Sequence, residues 1–431
     1  MIIVMADKVI TRFAPSPTGL PHLGTAMYAL LNFLFARQNG GKVIMRSEDT
    51  DPVRSKPEYE EAIKEDLSWL GIEWDEFARQ SEYLESHKKY IKQLLDSGNA
   101  YISAEQAENG EGMRDVVRFK NPNKIVTFND LARGEISVDT TDLHDFVIAR
   151  DIDSPLYHLA VVADDYDMGV THIIRGEDGL ANTPRQILIQ EALGAPRPIY
   201  AHYPFFLTPE RQKMGKRNGA MPISDYREQG YLPEALINFI ILMAWHPNDD
   251  QELFTMQGLI ERFELERIGK SGAIFDQAKL DWLNREYMKL LKPDELETKA
   301  SRFIPKGTEK FLPLLIERIN KFSDIPRMLE SGGEFDFLVK APGISKELLM
   351  GMSGASESEI KKHLAYILEK GTERDTVWPY AEEHGKGKVL WPMRVALSGK
   401  ERSPDPFTLV QYLGEKESMI RLEHARKILD S

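Results

Sequence analysis

Three short stretches hold the residues best suited to chemistry. The first, APSPTGLPHLGT (Ala14–Thr25), sets His22 and Gly24 where a loop gives way to an apolar run with helical spacing. Amides at a helix start carry partial positive charge, and a glycine there lets a ligand approach the backbone closely. His22 is placed to donate to a phosphate oxygen or a ribose. A proline-rich turn with an incidental histidine accounts for the same residues equally well. Neither GxGxxG nor GxxxxGK[ST] occurs in the stretch, so neither common nucleotide loop is present. The second stretch, QKMGKRNG (Gln212–Gly219), gathers Lys213, Lys216 and Arg217 between glycines. A mobile basic loop beside a nucleotide pocket stabilises charge on a leaving pyrophosphate. A solvated basic loop is the plainer reading of that stretch alone. The third is a pair, RSEDTD (Arg46–Asp51) and IIRGED (Ile173–Asp178), each closing an apolar run. Their carboxylates suit Mg2+ binding or general-base work, and equally suit capping and ion pairing.

Such residues need a frame to bring them together. The chain has 431 residues, a length for about three domains. It has no cysteine, which excludes disulfides, thiolate nucleophiles and cysteine-based zinc sites, and fits a reducing cytoplasm. A net charge of −13 argues against nucleic-acid binding unless one face is locally basic. MIIVMADKVITRF lacks the pattern of a signal peptide, and the apolar stretch Leu236–Trp245 is too short to span a bilayer.

Lys8–Ser16 reads as a strand leaving into a loop, Thr25–Asn39 as a helix stopped by Gly40 and Gly41, and Lys42–Asp51 as a buried strand in its first half. Strand, helix and strand at this spacing predict a parallel crossover. Ser55 is expected to cap the next helix, with Pro57 in its first turn and Gly71 beyond its end. Character changes over Gly98–Lys124, where Arg114, Arg118, Lys120 and Lys124 cluster, and this reads as an insertion. The sheet is expected to resume at Asp145–Asp151 and Gly169–Asp178, with Pro198–Leu207 as a further strand. Tyr157–Asp165 reads as a helix or an apolar turn. Asn182 or Thr183 caps a helix with Pro184 in its first turn, stopped by Gly194. From Leu232 the pattern is mostly helical. An α/β domain with an insertion, followed by a mainly helical half, is the fold these patterns predict.

Taken in order, RFAPSPTGLPHLGTA, RSEDTD, LYHLAVVADD, THIIRGEDGLANTPRQ and KMGKR resemble the bacterial-type glutamyl-tRNA synthetases of class I. HLGT stands where that class has HIGH, and KMGKR where it has KMSKS. The resemblance continues through GYLPEALINFIILMAW, ERIGKSGAIFDQAKLDWLN and PMRVALSGKERSPDPFTLVQYLG, covering nearly the whole chain. It implies a Rossmann-like catalytic domain over 1–80 and 148–205 and a shortened inserted domain for the tRNA acceptor end over 81–147. A KMSKS-loop and stem-contact domain over 206–292 and an all-helical anticodon-binding region over 293–431 would follow. The implied reaction joins L-glutamate to ATP as glutamyl-adenylate, releasing pyrophosphate. The glutamyl group then passes to the 3′-terminal adenosine of tRNA(Glu). ATP with Mg2+, a monomer and a cytoplasmic location are implied as well, whereas the zinc knuckle that many relatives carry in the insertion is not expected in a chain without cysteine, nor is a membrane association.

The resemblance also assigns residues. Arg12, Ala14, Ser16, Glu48, Tyr157 and Arg175 match glutamate-binding positions, with Arg12 facing the side-chain carboxylate, Glu48 the ammonium and Arg175 adding a polar contact. His22, Gly24, Lys213, Lys216 and Arg217 match catalytic and ATP positions, and Asp178 and Phe206 stand near the nucleotide. Arg318 matches an anticodon-reading arginine. The chain departs from the family pattern in three places. Gly179 stands where relatives carry a large residue, which predicts a looser adenosine pocket. Gly215 replaces the serine of KMSKS, and Ala100–Arg114 is short. Alternatives are an enzyme that also charges tRNA(Gln), a small-molecule nucleotidyltransferase, a paralogue acting on a modified tRNA base, and a catalytically impaired tRNA-binding paralogue.

Overall fold

The computed structural model describes residues 8–106, 112–215 and 220–430, and the chain divides into two units, Met1–Asn284 and Arg285–Ser431. The first unit opens with β1 (Ile10–Phe13), α1 (Leu23–Gln38), β2 (Lys42–Ser47), α2 (Pro57–Trp69) and β3 (Glu76–Arg79). These make two successive parallel crossovers, with Ile10 opposite Lys42 and Ile44 opposite Glu76. Gly40 takes a left-handed φ of 61° to end α1, and at Gly41 a Cβ would lie 2.3 Å from the Val9 carbonyl oxygen. The pair therefore permits both the turn and the close approach that β2 needs to reach β1.

The chain continues through α3 (Leu84–Asp96), β4 (Ala100–Gln106), β5 (Met113–Phe119), β6 (Ile125–Asp130), β7 (Gly134–Asp139) and β8 (Phe146–Ala149). Next come α4 (Tyr157–Asp167), β9 (His172–Gly176), α5 (Thr183–Leu193) and β10 (Ile199–Tyr203). The main sheet has seven strands in the order β3-β2-β1-β9-β10-β6-β7. All neighbours are parallel except the β6–β7 hairpin. The chain leaves β1 toward β2 and β3, then returns on the other side as β9 and β10. The β1–β9 boundary is thus a topological switch point, where open α/β sheets bind ligands beyond the strand carboxyl ends.

Two expectations are corrected here. The segment around Asp145–Asp151 does not resume the main sheet: β8 pairs antiparallel with β5 in a separate sheet, β4-β5-β8. The β6–β7 hairpin, expected within the insertion, instead extends the main sheet, with Asp130 opposite Tyr200. Burial explains the second outcome. Along β6, Val126, Phe128 and Asp130 are buried and alternate with exposed Ile125, Thr127 and Asn129. That pattern suits a sheet lying on a core with one face. Val126 and Phe128 share one apolar cluster with Phe119, Ile148, Ile187 and Tyr200, so the insertion and the main sheet are held by the same core. Each such fully buried side chain contributes about 1.5–3 kcal/mol.

Ser55 is not a cap. Lys56 holds the N-cap position of α2 without a side-chain bond, and Pro57, fixed at a helical φ, starts the helix. Asn182 holds the N-cap position of α5 without a side-chain bond, and Gly194 ends that helix in a left-handed conformation. The unit finishes with β11 (Phe206–Leu207), α6 (Ile223–Glu228), α7 (Pro233–Ala244), α8 (Met256–Arg262), β12 (Ala273–Ile274) and the first half of α9 (Gln277–Leu290), the helix within which the division at Asn284 falls. β11 and β12 pair parallel, and α1 packs against α7 and α8. This second cover makes α1 apolar on nearly every side.

In the second unit, helix Lys386–Ser398 packs against helices Glu357–Lys370, Arg374–His384, Pro406–Leu413 and Glu415–Asp430. Val389, Met393, Val395, Ala396 and Leu397 bury its contact surface. Arg421 is buried and donates to the Phe337 and Leu397 carbonyls, at 2.8 and 2.7 Å. Arg318 is exposed, with its Nε 3.8 Å from Glu334 Oε1.

Candidate active site

A cavity of about 560 Å³ lies where the carboxyl ends of β1 and β9 meet. Arg12, Ala14 and Ser16 line one wall as the chain leaves β1, joined by Glu48 beyond β2 and Tyr157 at the start of α4. Arg12 is almost wholly buried. Its Nε lies 3.1 and 3.2 Å from the two carboxylate oxygens of Asp165, and Nη1 donates to the Tyr28 hydroxyl at 2.8 Å. Among the described residues nothing hydrogen-bonds its Nη2. Arg46 uses the same carboxylate, donating to Asp165 at 2.7 Å, and reaches Glu48 at 3.4 Å. Its Nε stands 3.6 Å from Asp164. Asp164 accepts from Gln80 at 2.7 Å and meets His87 Nε2 at 2.5 Å.

Charge balance holds this wall together. Burial works against the protonated guanidinium, yet Asp165 and its neighbours keep Arg12 and Arg46 above the usual arginine value. Burial likewise works against ionised Asp165, and Arg12 and Arg46 together keep it below the usual carboxylate range. Glu48 goes the other way: burial raises it above its ordinary 4.5, against the opposing pull of Arg46 and Arg12.

The helix start forms the floor. His22 is the N-cap of α1, its Nδ1 accepting from the Gly24 amide at 3.1 Å while Thr25 Oγ1 meets the His22 amide at 3.5 Å. In the neutral ring this places the proton on Nε2. A Cβ at Gly24 would lie 3.0 Å from His22 Cε1. Gly24 thus makes room for the imidazole over the helix start, a different use from the close ligand approach expected of it.

The basic loop is fastened at both described ends. Leu207 and Lys213 form an antiparallel bridge, and the Met214 amide donates to the Phe206 carbonyl at 2.7 Å. On the far side His22 bridges Pro222, and the Ile223 amide donates to the Pro21 carbonyl at 3.0 Å. Lys213 Nζ sits 3.6 Å from the Phe205 ring centroid and 3.4 Å from Asp178 Oδ2. Lys213, Gly215, Asp178 and Phe206 line the cavity, whereas Lys216 and Arg217 lie outside the described residues.

The opposite wall belongs to β9. Arg175 is 6% exposed. It donates from Nε to His202 Nε2 at 3.0 Å, and from Nη2 to the Gly179 carbonyl at 3.0 Å and Thr183 Oγ1 at 2.8 Å. A Cβ at Gly179 would lie 2.3 Å from Arg175 Nε. The expectation of a looser adenosine pocket at Gly179 is therefore corrected: the space is filled by the Arg175 side chain.

The remaining carboxylates of the acidic stretches serve local structure. Asp49 accepts from the Ser81 amide at 2.9 Å and its hydroxyl at 2.6 Å, and Asp51 pairs with Arg54 at 2.6 Å. Glu177 accepts from Arg133 at 2.6 Å and the Phe205 amide at 3.1 Å. Among the described residues no group of three or more His, Asp and Glu side chains is placed to hold a metal, and no helix is long and apolar enough to cross a membrane.

The structure thus gathers Arg12, Ala14, Ser16, His22, Gly24, Glu48, Tyr157, Arg175, Asp178, Phe206 and Lys213 around one cavity, while Arg318 belongs to the second unit. Sequence reasoning missed Asp165, Tyr28 and His202. The available signal was LYHLAVVADD itself, since carboxylates in an apolar helical run are buried only when paired.

A doubly wound sheet with the HLGT segment and Lys213–Gly215 beside its switch point has the architecture of a class I aminoacyl-tRNA synthetase. The family described as "tRNA synthetases class I (E and Q), catalytic domain" matches residues 8–116 and 103–282, and an "Anticodon binding domain" matches 279–426. The chain belongs to this glutamyl and glutaminyl family of class I tRNA synthetases. The glutamate–tRNA ligase of Aquifex aeolicus is 45% identical over 447 residues, covering 91% of this chain and 93% of that one. Glutamate–tRNA ligase 1 of Caldanaerobacter subterraneus subsp. tengcongensis is 35% identical, covering 99% of each. A crystal structure of a glutamate tRNA ligase from Elizabethkingia meningosepticum, in complex with its amino acid, matches with a TM-score of 0.85 at 29% identity, covering 98% of this chain and 100% of that one.

Proposed function

We infer that the chain is a glutamate–tRNA ligase, which activates L-glutamate with ATP to glutamyl-adenylate and transfers the glutamyl group to the 3′-terminal adenosine of tRNA(Glu). The observation that carries this reading is the convergence of Arg12, Glu48, Tyr157 and Arg175 on the cavity that His22 and Lys213 also line. Guanidinium groups bind carboxylates through charge-assisted bonds, so Arg12 and Arg175 suit an acidic amino acid. Glu48, when ionised, suits its ammonium. His22 and the α1 amides face the nucleotide phosphates, and Lys213, Lys216 and Arg217 stabilise charge on the leaving pyrophosphate. Mg2+ enters with ATP, and this chain needs no zinc. No covalent enzyme intermediate is required: the work is positioning and electrostatic stabilisation.

The β4-β5-β8 sheet takes the tRNA acceptor end, and the helical unit, with Arg318 as one candidate, takes the anticodon. A locally basic face on an acidic chain makes tRNA affinity fall with salt. The enzyme works as a cytoplasmic monomer. Pyrophosphate exchange dependent on glutamate and tRNA tests the reading, and its absence would remove the activity. Aminoacylation of purified tRNA(Glu) and tRNA(Gln) side by side decides between a selective and a non-selective enzyme. Lys216→Ala is expected to slow single-turnover adenylate formation by about 10²–10³ with tRNA affinity retained.

A further inference from the structure

We propose that Phe205 is a positioning residue for ATP activation: its ring seats the Lys213 ammonium at the cavity wall, and Arg133 and Glu177 fix that ring from outside the cavity. The inference rests on Lys213 acting on the nucleotide, as in the function proposed above.

The seat has two sides. Lys213 Nζ stands 3.6 Å from the Phe205 ring centroid and 3.4 Å from Asp178 Oδ2. An ammonium over an aromatic face is held by the ring quadrupole. The chain itself brings the two together: Lys213 bridges Leu207, and the Met214 amide donates to the Phe206 carbonyl at 2.7 Å. Gly176 lets the two sides stand close, since a Cβ there would lie 2.7 Å from Asp178 Oδ1 and 3.8 Å from Phe205 Cε1. The Lys213 and Asp178 side chains are 54% and 65% exposed, and an ion pair between exposed side chains is weak. Phe205 is half-buried and is the firmer side. A seated lysine has fewer rotamers left to lose when it meets a phosphate.

The ring is firm because its backbone is held. The Phe205 amide donates to Glu177 Oε1 at 3.1 Å, and Glu177 Oε2 accepts from Arg133 Nη2 at 2.6 Å. Arg133 lies in the turn between β6 and β7. Its Nε donates to the His202 carbonyl at 3.1 Å and its amide to Asp130 Oδ1 at 3.0 Å. One guanidinium thus grips the end of β10 and the carboxylate that holds Phe205. Gly176, Asp178, Phe205 and Lys213 line the cavity, and Arg133 and Glu177 stand behind that lining. The β6–β7 hairpin therefore reaches the nucleotide wall through this chain of contacts.

The test is tRNA-dependent pyrophosphate exchange by the full chain, with ATP and glutamate varied separately. Phe205→Leu is expected to lower kcat/KM for ATP by about three- to tenfold, and Phe205→Tyr, which keeps the aromatic face, to stay within about twofold of the parent. Arg133→Met should reproduce the Leu effect, and the glutamate KM should stay within about twofold in all three. Lys213→Met removes the cation itself. In that background Phe205→Leu should add less than about twofold, because the ring acts through the lysine. A parental Phe205→Leu, a Tyr variant as poor as Leu, an equal rise in the glutamate KM, or the full Leu effect repeated without Lys213 would overturn the proposal. If Lys213→Met leaves no measurable exchange, Arg133→Met decides, since its side chain is behind the lining: parental ATP use there overturns the proposal. Thermal melting confirms that each variant is folded, and if Arg133→Met is not, the two Phe205 variants carry the test. A parent chain without glutamate-dependent exchange overturns the glutamate reading and this inference together. An active parent with unaffected variants overturns this inference alone.

Discussion

The two walls of the cavity each bury an arginine, and they do so by opposite means. On the β1 wall Arg12 is bound by charge, sharing Asp165 with Arg46. On the β9 wall Arg175 is bound by neutral acceptors, with a carboxylate, Asp130, one imidazole behind. The difference separates two duties. A carboxylate shared by buried guanidinium groups secures the fold around the cavity, so its loss costs stability. A guanidinium whose direct partners are neutral keeps its charge for a ligand, so its displacement costs binding.

The largest effect should come from breaking the charged wall. Asp165→Asn leaves Arg12 and Arg46 without their common counter-charge, and removing one partner of a buried ion pair costs about 3–5 kcal/mol. Urea unfolding at neutral pH should show that loss, and an unshifted midpoint would contradict the charge-held wall. Asp165 is depressed in the fold, so its contribution is present above the unfolded carboxylate pKa and disappears as pH falls through the lower folded value.

Next, Arg12→Ala should lower kcat/KM for glutamate by about ten- to a hundredfold while the ATP KM stays near parental. Steady-state exchange at varied glutamate checks this, and a parental glutamate dependence refutes the assignment. A smaller effect concerns Glu48, whose pKa burial raises above 4.5. Binding the substrate ammonium needs the ionised form, so kcat/KM for glutamate should rise with pH through that raised value and then level. Glu48→Gln should lower the plateau and remove the step; a step of unchanged position would assign it to another group.

A further effect, spread over the acid range, is on stability. Burial lowers His158 and His172 from 6.5 to about 4. Between those values the unfolded chain takes up protons that the folded chain does not, so stability should fall as pH drops from 6.5 toward 4. Melting temperatures of the parent and His172→Gln across that window measure the contribution, and equal slopes would remove it.

Local signals in the sequence carried much of this account. The crossover from β1 to β2, the glycines after α1 and the ordered motifs led to eleven candidates that share one cavity. What escaped was set by long-range pairing. Arg12 and Asp165 stand 153 positions apart, and no pattern near either one announces the other. The strands of β6 and β8 were legible as apolar segments, but which sheet each joins depends on the partner edge it meets. Gly179 misled for a similar reason. A missing side chain reads as empty space until the Arg175 side chain that fills it is seen.

The most direct test of a cavity built to hold an anionic side chain is its choice between L-glutamate and L-glutamine. With tRNA(Glu) and ATP present, pyrophosphate exchange should proceed with glutamate and be lost or greatly reduced with glutamine, whose neutral amide offers the guanidinium groups of the cavity no side-chain carboxylate to bind. Comparable exchange with both amino acids would contradict the account.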